Sequence, residues 1–192
     1  HCDNDHISGI RKIFTEDNIK VKTLYMPSTT MTDEVYTELI ELAAESGTDI
    51  KYIYEGYSMT EKDFYMYCLH PEYEYDTSER NDYSTTLYIR YDNFSALLTG
   101  DISGEVESNI LQKYKDFPQV TILKAAHHGS KNSTSNEFLQ KVQPKQTVIS
   151  CGKQNRYGHP HLETIHRLQT YHTKIYRTDR SGAIIFFKRR DG

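Results

Sequence analysis

The chain has 192 residues, 36% of them hydrophobic and 26% charged, with 16 Tyr, 7 Phe and no Trp. That length sustains a single domain over residues 1–192, and the composition excludes a disordered chain. No apolar run approaches the roughly 20 residues that a membrane-spanning helix needs, and Cys2, Cys68 and Cys151 form neither a metal knuckle nor a disulfide framework. The net charge of −4 is unevenly spread: 13 basic residues stand against 4 acidic ones from Lys124 onward, and 10 against 23 before it. A basic last third either attracts a polyanion such as nucleic acid or complements the acidic part across the fold.

In chain order, the opening HCDNDHISGI packs His1, Asp3, Asp5 and His6 into what reads as one turn of loop. Imidazole and carboxylate are the usual ligands of a hydrolytic metal, and adjacent side chains that diverge can serve one or two ions. The alternative is a solvated polar terminus. KVKTLYMP reads as a strand closed by Pro27, and MTDEVYTELIELAAESG as an amphipathic helix with Thr30 or Thr32 as N-cap, ending at Gly47. DIKYIYEG and DFYMYCLHP have strand composition, and EYEYDTSERND reads as a polar loop. STTLYIRYDNFSALLTGD predicts a hairpin turning at Asp92 and Asn93. A short helix, GEVESNILQKY, leads to the strand VTILKAA, which empties into HHGSKNSTS. The helix NEFLQKVQP, the strand QTVISCG, the loop KQNRYGHPH, the helix LETIHRLQTYH and a final hairpin, KIYRTDRSGAIIFFKRR, complete the chain. Strands alternating with helices predict a mixed α/β sandwich of sheets covered by helices.

Three strand ends carry ligand-type residues. LLTGDIS sets Asp101 where a carboxylate can bridge two ions. LKAAHHGSKNS places His127 and His128 beside Gly129, Ser130 and Lys131; GKQNRYGHPH places His159 and His161 with Asn155 and Arg156. Singly, Asp101 reads equally as a helix cap and each histidine as a surface residue. Together they give the layout of a site on the rim of a sheet.

The ordered set HCDNDHISGI, LHP at 69–71, NDYS, LLTGD, LKAAHHGS and ISCGKQNRYGHPH resembles the metallo-β-lactamase superfamily, and more narrowly the C-terminal domain of ComEC-type competence proteins, over nearly the whole chain. The resemblance implies an αββα sandwich with one or two divalent ions, Mn or Zn, between the sheet edges. It gives His1 and Asp3 to one metal, Asp5, His6 and His127 to the other, and Asp101 to both, with His128 near the substrate. The function it implies is that of a DNA phosphodiesterase acting on the non-imported strand during uptake. Its partners would be the channel domains of a longer bacterial membrane protein, with this domain on the outer side. On that reading Asp5 orients the attacking water and His159 protonates the leaving oxygen, while Ser130, Lys131, Asn155, Arg156 and Tyr157 contact the substrate. The competing readings are a small-molecule phosphodiester or phosphorylcholine esterase on the same scaffold, and a non-catalytic DNA-binding module.

Two features depart from the superfamily pattern. Asp3 stands where many members have His, and the one histidine between His6 and Asp101 is His70, with Asn81 nearer the expected place. More carboxylates and fewer imidazoles shift preference from Zn toward Mn or Mg. The family also has strands ahead of the HxDxDH loop, so a motif at residue 1 reads as the C-terminal, N-terminally truncated portion of a longer protein. Such a loop is expected to lack an anchor, to hold metal incompletely and to be inactive as a fragment. It is also expected to leave a sheet edge open to a second copy in a homodimer.

Overall fold

The computed structural model describes residues 1–16, 19–30 and 33–187. Its elements are α1 (Asn4–Thr15), β1 (Thr23–Pro27), α2 (Glu34–Glu45), β2 (Asp49–Ile53), β3 (Ser58–Glu61), β4 (Phe64–His70), β5 (Thr86–Tyr91), β6 (Phe94–Leu98), α3 (Gly104–Lys113), β7 (Ile122–Lys124), α4 (Asn136–Val142), β8 (Gln146–Ile149), α5 (Leu162–Thr170), β9 (Lys174–Arg177) and α6 (Thr178–Ser181). The large sheet holds seven strands in sequence order, β3 to β9, and β1 pairs with β2 in a second, parallel sheet. Pairing is antiparallel from β3 to β6 and parallel from β6 to β9. Strands β4, β6, β7, β8 and β9 therefore run the same way, and their C-terminal ends share one edge. In open α/β sheets that edge is where ligands bind.

Hydrophobic periodicity sets the layers. On α2, Tyr36, Leu39 and Ala43 are buried at helical spacing, and with Ile7 of α1 the first two close over Met26 of β1. The neighbouring Tyr25 projects to the other face, where its hydroxyl meets the Met59 sulfur of β3 at 3.6 Å and its ring meets Tyr57. On the far side of the large sheet, Leu97, Leu123 and Ile149 pack against Phe138, Leu139 and Val142 of α4 and Leu168 of α5. The order of layers is helix, sheet, sheet, helix, which is the αββα sandwich that the resemblance implied.

Several local expectations change. The opening motif is not a loop throughout, because helix α1 begins at Asn4 and takes in Asp5 and His6. The side chain that caps α2 is Asp33, which accepts from the Tyr36 amide at 2.8 Å; Thr30 does not cap it, and Thr32 lies outside the described residues. Strand β3 was not anticipated. The final hairpin does not form among the described residues: β9 runs directly into the short helix α6, and Lys188, Arg189 and Arg190 lie outside them.

One buried carboxylate ties the layers to the loop after β7. Glu107 of α3 is fully buried, and it accepts from the amides of Thr134 and Ser135 at 2.5 and 2.9 Å. Burial raises its pKa against those hydrogen bonds. Arg167 of α5 holds the same loop from outside by donating to the carbonyls of Lys131, Ser133 and Thr134. Replacing Glu107 by Ala strands two amides, and the expected loss is about 3 kcal/mol of stability, read from the urea midpoint. A loss below about 1 kcal/mol would show that the loop does not depend on this residue.

Candidate metal centre

The strand ends assemble the site. Asp101, 3% exposed, follows β6 through Gly100, whose φ of +55° suits glycine. A Cβ on Gly100 would sit 2.6 Å from that of Ser84, so its absence allows the two segments to touch. Ser84 Oγ accepts from the Asp101 amide at 2.8 Å and lies 2.8 Å from His1 Nδ1. Through that contact His1 is oriented with Nε2 toward Asp101 Oδ2, at 3.9 Å. Lys124, the last residue of β7, donates to the other oxygen, Oδ1, at 3.3 Å.

His127 and His128 both adopt left-handed backbone, with φ of +47° and +54°. For residues other than glycine this costs about 1–3 kcal/mol each, and such strain clusters at functional sites. It turns the two rings apart. His128 Nδ1 donates to the Ser150 carbonyl at 2.6 Å, which fixes its tautomer and leaves the Nε2 lone pair facing Asp101 Oδ2 at 3.0 Å and Asp5 Oδ2 at 3.1 Å. His6 Nε2 lies 3.3 Å from the same Asp101 oxygen. Neither His6 Nε2 nor His128 Nε2 has a hydrogen-bond partner of acceptable geometry, although both are buried. A lone pair and two carboxylate oxygens come this close only around a positive centre, either a proton or a metal ion. Two ligand groups result, His1–His6–Asp101 and Asp5–His6–His128, each with its donor atoms within 4.8 Å of one another. The donor set of imidazoles and carboxylates fits a divalent metal.

The electrostatics agree. Burial works against the charged form of Asp101, but His128, His6 and Lys124 outweigh it and hold the carboxyl far below the usual carboxylate range. Asp101 in turn raises His128 above an ordinary histidine, against the effect of burial.

Other expected ligands are placed differently. His127 belongs to neither group; its ring lies 5.4 Å from that of His159, so His128 stands where the sequence reading put His127. Asp3 is ion-paired to Arg80, which also holds Asp33, and its free oxygen stays 3.8 Å from His1 Nε2. His70 lies outside the cluster, with Nε2 2.6 Å from the Asp82 carbonyl. Asn81 contributes only its carbonyl, which accepts from the Ser84 amide at 3.0 Å.

Gly129 brings the second loop alongside. Its φ is +83°, and a Cβ there would meet Pro160 at 2.6 Å. Its carbonyl accepts from the His161 amide, and the Lys131 amide donates to His161 Nδ1 at 3.0 Å. Asn155, expected to contact substrate, instead braces the loop: it donates to the carbonyls of Gly152 and His159 and accepts from the His159 amide at 2.8 Å. Ser130 is buried and holds Asn132, so it too is internal. Lys131, Arg156 and Tyr157 are exposed. Arg156 lies over the Tyr157 ring at 5.0 Å, and that ring stacks on His159 at 5.8 Å, forming a cationic and aromatic step beside the histidine and carboxylate cluster. Burial, helped by His127, His161 and His128, lowers the His159 pKa to about 4. His159 is therefore neutral at pH 7.

No family model matches the chain. Comparison with known proteins shows 35% identity over 193 residues to ComE operon protein 3 of Bacillus subtilis, covering 100% of this chain and 24% of that protein. Recombination protein 2 of Haemophilus influenzae is 26% identical over 188 residues, covering 96% of this chain and 21% of that protein. The chain thus spans about a quarter or less of the length of these relatives. Among solved structures, a variant of CmlA β-hydroxylase superposes on 71% of this chain and 34% of its own at a TM-score of 0.49 and 9% identity. The resemblance to ComEC-type competence proteins that the motifs carry extends over the whole chain.

Because Asn155 alone braces the His159 turn on both sides, Asn155→Ala is expected to loosen it. In the metal-free protein the His159 ring resonances should titrate near pH 4, and in the variant the midpoint should move up toward the ordinary histidine range. An unchanged midpoint in a folded Asn155→Ala protein would show that neighbouring rings, not the brace, set it.

Proposed function

We propose that this domain is a metal-dependent phosphodiesterase that cleaves DNA, working on the strand left outside during uptake by a ComEC-type competence protein. The observation that carries the reading is the convergence of His6 and His128 Nε2 on one Asp101 oxygen, with an Asp5 oxygen also within 3.1 Å of His128, a donor set that fits a divalent ion. His1, His6 and Asp101 would hold one ion, and Asp5, His6 and His128 another or the same one. A divalent ion there would supply Lewis-acid activation of water and of a phosphate oxygen.

The protein's own groups do the rest. The Asp5 side chain is 63% exposed, so its carboxylate can reach a water outside the cluster and take its proton. Lys131 and Arg156 are exposed on the neighbouring loops and suit contacts to phosphates. Tyr157, 61% exposed, offers a ring face on which a base can stack, while Arg156 and His159 hold its orientation. His159, neutral, can accept or donate one hydrogen bond without adding charge. The similarity to competence and recombination proteins supports DNA as substrate, and the partners proposed with it are channel domains in the membrane.

The test is cleavage of end-labelled single-stranded DNA with added Mn2+, comparing this chain with Asp5→Ala and His128→Ala. Cleavage in the parent, abolished by a chelator and reduced about 100-fold or more in both variants, is the expected result. DNA that is bound with a steep salt dependence but left intact in Mn2+ would replace the enzyme with a binding module.

A further inference from the structure

The proposed metal centre contains a residue that its ligand chemistry does not require. Lys124 ends β7, an interior strand between β6 and β8, where the neighbouring Ile122 and Leu123 are buried and apolar. Its Nζ lies 2.6 Å from the Gly100 carbonyl, 3.3 Å from the Ala125 carbonyl and 3.3 Å from Asp101 Oδ1. Three oxygen acceptors around one nitrogen match the three protons of an ammonium, since a neutral amine has only two to give. A methionine would fill the same space without desolvating a charge, so the position is occupied for its charge and not for packing.

The two oxygens of Asp101 are thereby divided. Oδ1 belongs to Lys124, and Oδ2 faces His1, His6 and His128. Asp3 shows the same arrangement on the opposite side of the site, where Arg80 holds one of its oxygens. Of the three acidic residues, only Asp5 has no lysine or arginine on it among the ion pairs of the described residues.

Resting on the metal-centre reading above, we propose that Lys124 is a resident cation of the site, a positioning residue that reserves Asp101 Oδ1 and weakens the site's hold on divalent ions. It limits Asp101 to one ligating oxygen and places a fixed positive charge beside any ion held there. A chelating two-oxygen mode at Asp101 is closed, and an incoming ion meets repulsion that a site of the same ligands without the lysine lacks. The consequence is an exchangeable metal, taken up when the ion is abundant.

The test is calorimetric titration of Mn2+ into the metal-free chain, comparing the parent with Lys124→Met, Lys124→Gln and Lys124→Arg, each checked for folding by circular dichroism. The neutral variants are expected to bind Mn2+ about tenfold or more tightly than the parent, while the arginine variant, which keeps the charge, stays within about threefold. A purely structural lysine would give weaker binding in all three. Binding in Lys124→Met and Lys124→Gln that is equal to or weaker than the parent's overturns this inference alone. If Lys124→Met does not fold, Lys124→Gln, which keeps a donor for the Gly100 carbonyl, carries the comparison. A parent chain that takes up no Mn2+ overturns the metal centre itself and this inference with it.

Discussion

The carboxylate of Asp101 is the constraint on which the rest of the site depends. It is almost fully buried, and an isolated buried carboxylate is too costly to ionise. It is tolerated because every direction around it is supplied: the Ser84 hydroxyl on its amide, the Lys124 ammonium on one oxygen and imidazoles around the other. Each partner arrives from a different element of the fold. Ser84 precedes β5, Lys124 closes β7, His6 sits on α1 and His128 follows β7. The parallel run of β6, β7 and β8 delivers these ends to one edge, so the topology and the electrostatics solve the same problem.

Imidazole orientation is the second constraint. A histidine serves a cation only if the ring nitrogen facing it has no proton, and that is decided by the bond made on the other nitrogen. The Ser150 carbonyl, which can only accept, settles it for His128, and Ser84 positions the His1 ring through Nδ1. Reaching Ser150 requires the left-handed turn at His127 and His128, and Gly129 then lets the Pro160 loop close against it. The backbone strain at the two histidines thus has a visible return: one ring is aimed into the cluster and the other toward His159.

Much of this was legible in the sequence, for reasons that also explain what was not. The amphipathic spacing of Tyr36, Leu39 and Ala43 marks α2, and the Asp92–Asn93 turn marks the β5–β6 hairpin. Helix α1 was hidden because its first turn is made of the very Asp and His residues that suggest a ligand loop; Ile7 and Ile10, packing in the cluster that also holds Met26 and Leu39, decide it instead. Strand β3, SMTE, is too short and too polar to announce itself. The Arg-Ser-Gly at 180–182 reads as a hairpin turn but closes a short helix. At the site, sequence spacing cannot separate adjacent histidines, since the deciding acceptor, Ser150, lies 22 residues away. Asn155 and Ser130 were read as substrate contacts because they are polar and near the histidines, yet their polar atoms are spent inside the loops.

The residues that sequence reasoning missed are those that hold the candidate ligands in place without ligating. Arg80 and Ser84 lie in a segment with no periodic signal and act on residues about 80 positions away. Lys124 did leave a signal, a charged residue in the apolar run VTILKAA, where burial without a partner is rarely tolerated. A half-buried lysine at a strand end in an apolar run points to a carboxylate within reach, and the carboxylate at the end of the neighbouring strand was already suspected. Joining those two clues places positive charge inside the cluster before any ion arrives.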